Sequence, residues 1–241
     1  MFGGRQPTDP SEESICVASN PKQASAEAAA GYVENGMVVG LGTGSTAAFA
    51  IAFLGSRIRN EGLKIQGIPT SLESGRLAEA EGIPLTDFDN VQDIDLTIDG
   101  ADEVDDEFCL IKGGGGALLR EKIVASVTRH QIIIVDESKW NNPLGRFPLP
   151  LEVVPFGCQV VRSRVEPLGC QATLRQKEGR TFVTDNGNNI LDCAFGSIDD
   201  PGDLEQQVIS IPGVVECGLF VGLAHRVITG KSDGSIEEKH L

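Results

Sequence analysis

A lysine and four consecutive glycines precede a helix-like run in the stretch "IDLTIDGADEVDDEFCLIKGGGGALLREK", residues 94–122. Glycine loops let main chain approach another group closely or adopt positive φ, although a plain flexible connector would have the same composition. A loop of this kind suits an anionic ligand, and a partly buried carboxylate beside it could act as a general base. The charged side chains around the loop that could do chemistry are Asp99, Asp102, Lys112 and Glu121.

Glu121 falls in the second turn of the helix-like run. Its neighbours three and four positions away are all apolar: Ala117, Leu118, Val124 and Ala125. At helical spacing they place Glu121 at the edge of a packed face, where partial loss of water would raise its pKa toward the range of a general base. Arg120 and Lys122 have similar neighbours, so the helix pattern leaves open whether they pair with Glu121 or are the residues that matter.

The acidic residues before the glycine loop fall into two groups. Asp99 and Asp102 flank a Gly-Ala pair directly after a strand-like run, so both can turn over the edge of a sheet. Four further acids continue into a segment that looks too polar for burial, and we expect them to form a solvated face. These four residues are Glu103, Asp105, Asp106 and Glu107.

A second glycine motif, "GLGTGST" at residues 40–46, resembles a dinucleotide fingerprint only in part. Ser45 replaces its third glycine, and the next strand ends in "IPTS" rather than in the acid that would hold a ribose hydroxyl. No Gly-Lys-Ser/Thr follows, which argues against a nucleoside triphosphate loop. Hydroxyls beside a helix N-terminus suit a single phosphate group, with a simple cap and tight turn as the alternative. The candidate ligand-binding residues here are Thr43, Gly44, Ser45 and Thr46.

Apolar strand-like runs alternate with helix-like runs over the first 140 residues. Helices are expected at 22–36, 45–62, 72–82 and 117–129, and strands at 37–42, 64–71, 93–100 and 131–138. This alternation predicts an α/β fold with a parallel sheet, in which ligands bind beyond the carboxyl ends of the strands. Four polar clusters follow these strands and should meet at one edge. They are "GTGST" (42–46), "TS" (70–71), "DGAD" (99–102) and "DESK" (136–139).

The pattern changes after four prolines between residues 143 and 155. Short strand-like runs follow at 170–176, 180–187 and 189–196, with "DNGNN" as a turn signal between the last two. A helix at 201–213 and a strand at 214–220 complete a small α+β unit. The tail from residue 226 reads as a hairpin, and its periodicity does not tell which unit it joins.

Composition limits the possible functions. The 241-residue chain is 40% hydrophobic, which is enough for a sizeable core, and its net charge of -15 disfavours nucleic-acid binding. It has no run of 18 apolar residues, and its opening "MFGGRQPTDPSEESIC" is neither a signal nor a transit pattern, so we expect a cytoplasmic protein with a flexible start and no membrane partner. Six scattered cysteines and three histidines predict reduced thiols, with neither a metal site nor a disulfide framework.

The motifs "GLGTGST", "DGADEVD", "KGGGGALLREK" and "DESK", in this order and at these separations, closely resemble type A ribose-5-phosphate isomerases. The resemblance runs from about residue 22 to near the C-terminus. It implies a cofactor-free aldose-ketose isomerase that interconverts ribose 5-phosphate and ribulose 5-phosphate. It also implies a Rossmann-like parallel-sheet domain (1–146 plus 221–241) with a smaller inserted α+β domain (147–220), and assembly as a homodimer or homotetramer.

The resemblance also assigns roles to residues. Glu121 matches the family's base, which moves a proton between C1 and C2 through a cis-enediolate. Asp99, Asp102 and Lys112 match residues that act in ring opening and on the developing oxyanion. The remaining matches hold the substrate: Lys22, Thr43, Gly44, Ser45, Thr46, Gly113, Gly114, Gly115 and Lys139.

Three other functions stay open. An amino-sugar phosphate deaminase on a similar fold would bind phosphate and release ammonia. A sugar-phosphate sensor would keep the phosphate loop without turnover, and a nicotinamide enzyme would change the absorbance of NAD or NADP.

Overall fold

Fifteen strands and six α-helices build the described part of the chain. The computed structural model describes residues 20–241, so Cys16 and the opening segment lie outside the described residues. The helices are α1 (Pro21–Ala30), α2 (Ser45–Glu61), α3 (Leu72–Ala80), α4 (Leu118–Ser126), α5 (Cys158–Val165) and α6 (Pro201–Ile209). The strands are β1 (Val38–Leu41), β2 (Gln66–Pro69), β3 (Ile94–Gly100), β4 (Glu103–Val104), β5 (Leu110–Ile111), β6 (Thr128–Asp136), β7 (Leu149–Val153), β8 (Gln171–Leu174), β9 (Gln176–Lys177), β10 (Arg180–Thr181), β11 (Asn189–Ala194), β12 (Val214–Cys217), β13 (Leu219–Phe220), β14 (Arg226–Gly230) and β15 (Ile236–His240).

The largest sheet has six strands in the order β15-β14-β6-β3-β1-β2. All neighbours in it are parallel except the β14–β15 hairpin. The middle of its central strands β3 and β6 is buried on both faces, because helices cover the sheet on both sides. The predicted α/β fold with a parallel sheet is therefore confirmed, and the C-terminal hairpin joins this sheet.

A glycine in this sheet fixes the position of α1. A Cβ on Gly230 would lie 1.8 Å from the backbone oxygen of Pro21, so only glycine allows α1 to begin against β14. Asn20 caps the helix by accepting from the backbone N–H of Lys22 at 3.1 Å. Buried small residues, among them Ala26 and Ala29, then let α1 pack closely on α2 and the sheet. The first turn of α1, and with it Lys22, is thereby held beside the N-terminus of α2.

A second sheet is antiparallel, with the order β12-β7-β11-β8, and α5 and α6 pack on it. The sequence patterns missed β7 and α5. Prolines at 148 and 150 mask the apolar run of β7, and α5 is only 8 residues long, too short for a clear helical period. Two small sheets, β13-β5-β4 and β10-β9, complete the fold. Within residues 20–241, no helix combines the length and apolar character that a membrane crossing needs.

Several predicted elements have different bounds in the structure, and the helix predicted at 22–36, for example, ends at Ala30. The helix predicted at 117–129 ends at Ser126, because Thr128 already pairs with Ile94 of β3. The strand predicted at 214–220 is split into β12 and β13, which pair in different sheets. Of the strand predicted at 180–187 only β10 forms. Pairing with strands distant in the sequence sets the end of α4 and the division between β12 and β13, and the local pattern of apolar residues carries no information about it.

Candidate active site

The four polar clusters meet at the carboxyl edge of the large sheet, as the alternation predicted. Thr43, after β1, lies with its Oγ1 atom 2.7 Å from Oγ1 of Thr70, after β2. Its backbone N–H donates to Oδ1 of Asp99, at the end of β3, at 3.1 Å. One cavity of about 120 Å³ opens at this edge. It is lined by Lys22, Thr43, Gly44, Ser45, Thr46, Gly100, Ala101, Asp102, Lys112, Gly113, Gly114, Gly115, Glu121 and Lys139.

Every candidate residue except Asp99 lines this cavity. Asp99 is fully buried beneath it, where its Oδ2 atom is 3.0 Å from Nζ of Lys112. Gly100 and Ala101 also form part of the wall. Both residues belong to the "DGAD" motif, and the motif as a whole, rather than its two acids alone, indicates that they line the site.

Lys112 lies between two buried carboxylates. Its Nζ atom is 3.0 Å from Asp99 and 3.4 Å from Oε1 of Glu121, and it also donates to the backbone oxygen of Gly100. The Phe220 ring lies below it, with its centroid 5.4 Å from Nζ. Phe220 comes from the far end of the chain and carries no sequence signal for this contact. Two acids therefore share one cation in a site that is almost closed to solvent, and removing Lys112 would leave both buried carboxylates without a counter-charge.

The surroundings of Glu121 favour the protonated form of its carboxyl group. Burial raises the pKa of Glu121 to about 8; the charge of Lys112 opposes this shift, and the charges of Asp99 and Asp102 add to it. Among the described residues, its buried Oε2 atom has no hydrogen-bond partner. A carboxylate with such a pKa and a free oxygen can accept and return a proton near neutral pH.

Lys112 keeps its charge despite complete burial. Desolvation lowers its pKa, but the neighbouring charges of Asp99 and Glu121 outweigh that effect, and the pKa of Lys112 is raised. A permanent ammonium group at the floor of the cavity can stabilise negative charge that develops on a bound molecule.

The helix pattern of α4 left Arg120 and Lys122 as alternatives to Glu121, and the structure separates the three. Arg120 donates from Nε to Oδ1 of Asn186 at 2.9 Å. Lys122 binds Glu205 and Glu216, each at 2.7 Å. Neither side chain lines the cavity, whereas Glu121 does.

The glycine loop needs its glycines for close approach. Gly113 and Gly116 have positive φ angles of 103° and 84°. The backbone N–H of Gly114 donates to Oδ2 of Asp102 at 2.7 Å, and a Cβ on Gly114 would lie 2.6 Å from Oδ1 of the same carboxylate. The loop is therefore a fitted wall of the cavity rather than a plain flexible connector.

The other end of the cavity is the N-terminus of α2. Gly44 precedes this helix with a φ of 100° and no side-chain cap, which leaves the first N–H groups of α2 facing the cavity. Nζ of Lys22 donates to Oγ of Ser45 at 3.1 Å, and Lys139 reaches the cavity from a short 3-10 turn, Glu137–Lys139, after β6. Hydroxyls, amides and two lysines thus converge at this end.

The expectation of a solvated acidic face was wrong for two of its four residues. Glu103 and Asp105 are buried, whereas Asp106 and Glu107 are exposed. Backbone N–H groups satisfy both buried carboxylates: those of Gly145 and Phe147 donate to Glu103 at 2.7 and 2.6 Å. Those of Cys109 and Glu107 donate to Asp105 at 2.8 and 3.0 Å. These acids organise loops, because a carboxylate can be buried where main-chain donors converge.

One group of possible metal ligands occurs among the described residues, formed by Glu205, Glu216 and Cys217. The ammonium group of Lys122 lies within 2.7 Å of both carboxylates, so a cation of the protein already compensates this cluster. It lies outside the cavity wall, and the expectation of a metal-free site stays a prediction.

Comparison with known proteins places this geometry in context. Residues 66–234 match the family model for ribose 5-phosphate isomerase A (phosphoriboisomerase A). The chain is 52% identical over 212 residues to the ribose-5-phosphate isomerase A 1 of Oceanobacillus iheyensis, covering 88% of this chain and 95% of that protein. It is 55% identical over 218 residues to the enzyme of Gloeobacter violaceus, covering 90% and 94%.

Solved structures agree. The chain is similar to ribose 5-phosphate isomerase A from Methanocaldococcus jannaschii, with 43% identity, a TM-score of 0.87 and coverage of 92% of this chain and 98% of that one. It is also similar to a D-ribose-5-phosphate isomerase in complex with phospho-erythronic acid, with 39% identity, a TM-score of 0.89 and the same coverage of 92% and 98%.

Proposed function

The chain belongs to the ribose 5-phosphate isomerase A family and interconverts ribose 5-phosphate and ribulose 5-phosphate, and we propose that Glu121 is the base of this reaction. The enzyme is an aldose-ketose isomerase, and its reaction is a step of the pentose phosphate pathway. The observation that carries the assignment of the base is the buried carboxylate of Glu121, with its raised pKa and its free oxygen, in the wall of the cavity.

Isomerisation moves one proton between C1 and C2 of the open-chain sugar through a cis-enediolate, while a second proton is exchanged between the oxygens on the same two carbons. Glu121 takes the proton from one carbon and returns it to the other, so the base is regenerated in each turnover. Lys112 lies 3.4 Å from Glu121 and stabilises the negative charge that appears on oxygen as the carbon-bound proton leaves. The two groups therefore act on the same step from adjacent positions.

Asp99 and Asp102 support this step in different ways. Asp99 is buried, and its contact with Lys112 holds the ammonium group in place. Asp102 lines the cavity and accepts from the glycine loop, so its carboxylate can also bind a sugar hydroxyl and assist ring opening. The amides of Gly113, Gly114 and Gly115 complete the wall around the sugar.

The phosphate binds at the N-terminus of α2. Thr43 to Thr46 supply hydroxyls and N–H groups, and Lys22 and Lys139 supply positive charge. The N-terminus of α2 is separate from the buried carboxylates of Asp99 and Glu121, so these acids need not repel the phosphate. A chain with a net charge of -15 gathers its anionic substrate by this local set of donors.

The wider organisation follows from family membership as a proposal. We place the two domains at 1–146 plus 221–241 and at 147–220. We further propose a homodimer or homotetramer that works in the cytoplasm without a cofactor.

A direct assay of ribulose 5-phosphate formation from ribose 5-phosphate tests the function. The purified chain should form ribulose 5-phosphate without added cofactor. It should release no ammonia from glucosamine 6-phosphate and leave the absorbance of NAD and NADP unchanged. Binding of ribose 5-phosphate without turnover would instead indicate a sensor, and ammonia release a deaminase.

A further inference from the structure

Arg175, between β8 and β9, contacts the glycine loop from behind. Its Nη1 atom donates to the backbone oxygens of Gly113 at 2.7 Å and Gly114 at 3.2 Å. Its Nε atom donates to Oδ2 of Asp192 at 2.9 Å, and Nη2 contacts Oδ1 of the same carboxylate. The Arg175 side chain is only 13% exposed and does not line the cavity. Arg175 therefore links Asp192 of β11 to the main chain of the loop that forms the wall of the active site.

The hydrogen bonds from Arg175 to the two carbonyl oxygens determine the direction of the loop N–H groups. In a planar trans peptide the carbonyl oxygen and the N–H group point in opposite directions. The oxygen of Gly113 belongs to the same peptide as the N–H of Gly114, which donates to Asp102 at 2.7 Å on the cavity side. The oxygen of Gly114 belongs to the same peptide as the N–H of Gly115, and Gly115 also lines the cavity. A cation behind both carbonyls thus orients the Gly114 amide toward Asp102 and the Gly115 amide toward the cavity, and it polarises both as donors.

A run of four glycines cannot hold such an orientation alone, because glycine restricts the backbone least. Phe182, directly after β10, supplies a further restraint at the end of the run. A Cβ on Gly116 would lie 2.4 Å from Cζ of Phe182, so the Phe182 ring packs directly against that main chain. The Arg175 guanidinium is 5.8 Å from the centroid of this ring. Arg175 and Phe182 therefore support the two halves of the loop.

We propose that Arg175 is a positioning residue for the isomerisation, which holds the Gly114 amide on Asp102 and the Gly115 amide toward the reacting part of the sugar. The inference rests on the proposed function, because it assigns Asp102 and the Gly115 amide to the sugar. The planar fork of an arginine is needed, since one side chain must bind a carboxylate and two carbonyl oxygens together. A lysine carries all its donors on one nitrogen, so it cannot reach the carboxylate and the carbonyls from separate atoms as the guanidinium does.

Arg175→Lys tests the proposal, because it keeps the charge and loses the fork. We expect kcat for ribose 5-phosphate to fall at least tenfold. The affinity for phospho-erythronic acid, whose carboxylate resembles the charge of an enediolate, should fall by a similar factor. The affinity for inorganic phosphate should stay within twofold, because the phosphate end lies at α2. Asp192→Asn keeps the arginine and should give a smaller loss of the same kind.

The matched control is Arg162→Lys in α5. Arg162 pairs with Glu166 at 3.0 Å on an exposed surface and touches nothing in the cavity, so this change should alter none of the three measurements. If Arg175→Lys behaves like Arg162→Lys, the proposal is wrong. It is also wrong if phosphate affinity falls as much as affinity for phospho-erythronic acid, since that would show general loosening. A wild-type chain without isomerase activity would overturn the proposed function, whereas the two binding measurements would still test Arg175.

Discussion

The two ends of the cavity differ in burial, and the difference separates rate from binding. At the inner end, the side chains of Asp99, Lys112 and Glu121 are 1%, 2% and 6% exposed. At the outer end, Ser45 is exposed and Lys22 and Lys139 are half-buried. Buried charged groups interact strongly with one another because solvent does not screen them. Charged groups at the outer end are screened by solvent and salt, so their interactions are weaker and more easily exchanged. The inner end therefore suits a chemical step, and the outer end suits capture and release of a phosphate.

Glu121→Gln is the most severe test of this division. Glutamine keeps the shape of glutamate but cannot accept a proton, so kcat should fall by roughly 10²- to 10⁴-fold while the substrate still binds. Hydrogen exchange at C1 of ribulose 5-phosphate in deuterated water should fall in parallel, because enediolate formation removes that proton. The matched control is Glu166→Gln, which alters an exposed ion pair of α5 and should change neither rate.

Near wild-type exchange and turnover in Glu121→Gln would show that Glu121 is a packing or ion-pair residue. The base would then have to be Asp99 or Asp102, and the contrast between the two ends would rest on different residues.

The pH dependence of kcat/KM should report the inner end. Glu121 must be ionised to act, and burial raises its pKa to about 8. Between pH 6 and pH 8, kcat/KM should rise by roughly tenfold or more, because the ionised fraction of Glu121 grows as the pH approaches its pKa. A profile that is flat over this range would contradict the assignment of the base.

The same ionisation should act on stability in the opposite direction. The folded state holds the proton of Glu121 more tightly than the unfolded chain, since its folded pKa is raised. That stabilising contribution is complete below the ordinary pKa of a glutamate and is lost as the pH rises through about 8. The free energy of unfolding, measured with urea, should decrease over this window in the wild type and decrease less in Glu121→Gln. Equal slopes in the two proteins would show that Glu121 is not the group responsible.

Alanine at Lys22 or Lys139 should affect the outer end alone. Each change should raise KM by about tenfold if ~1.4 kcal/mol of phosphate binding is lost, with kcat little changed. Lys64→Ala removes an exposed lysine that does not line the cavity and serves as the control. A lower kcat at unchanged KM would show that Lys22 or Lys139 acts in the proton-transfer step, and the assignment of the outer end to phosphate binding alone would be wrong.

Removal of divalent metal should have the smallest effect. The proposed steps use a carboxylate and an ammonium group, so dialysis against EDTA should leave kcat and KM intact. Loss of activity that a divalent ion restores would show that the ammonium of Lys112 does not suffice for the enediolate charge.

The sequence by itself determined the parallel sheet, the edge where its loops meet and the residues at that edge. Strand and helix periods are local, and four polar clusters after parallel strands have to meet at one edge. The same local reasoning failed for Glu103 and Asp105. The main-chain donors to Glu103 arrive from residues 145–147, 42 and 44 positions away, and those to Asp105 come from the turn at 107–109, which the polar pattern does not reveal. It also missed β7 and α5, whose patterns are short or interrupted by proline.

Only the tertiary structure decided which residue of α4 faces the cavity. Arg120, Glu121 and Lys122 have similar apolar neighbours along the helix, and their separation depends on partners elsewhere in the chain. Asn186 binds the first, Glu205 and Glu216 bind the last, and Lys112 remains beside Glu121. The raised pKa of Glu121 and the grip of Arg175 on the glycine loop have the same origin. Both depend on desolvation and charge from groups distant in sequence, which a local pattern does not record.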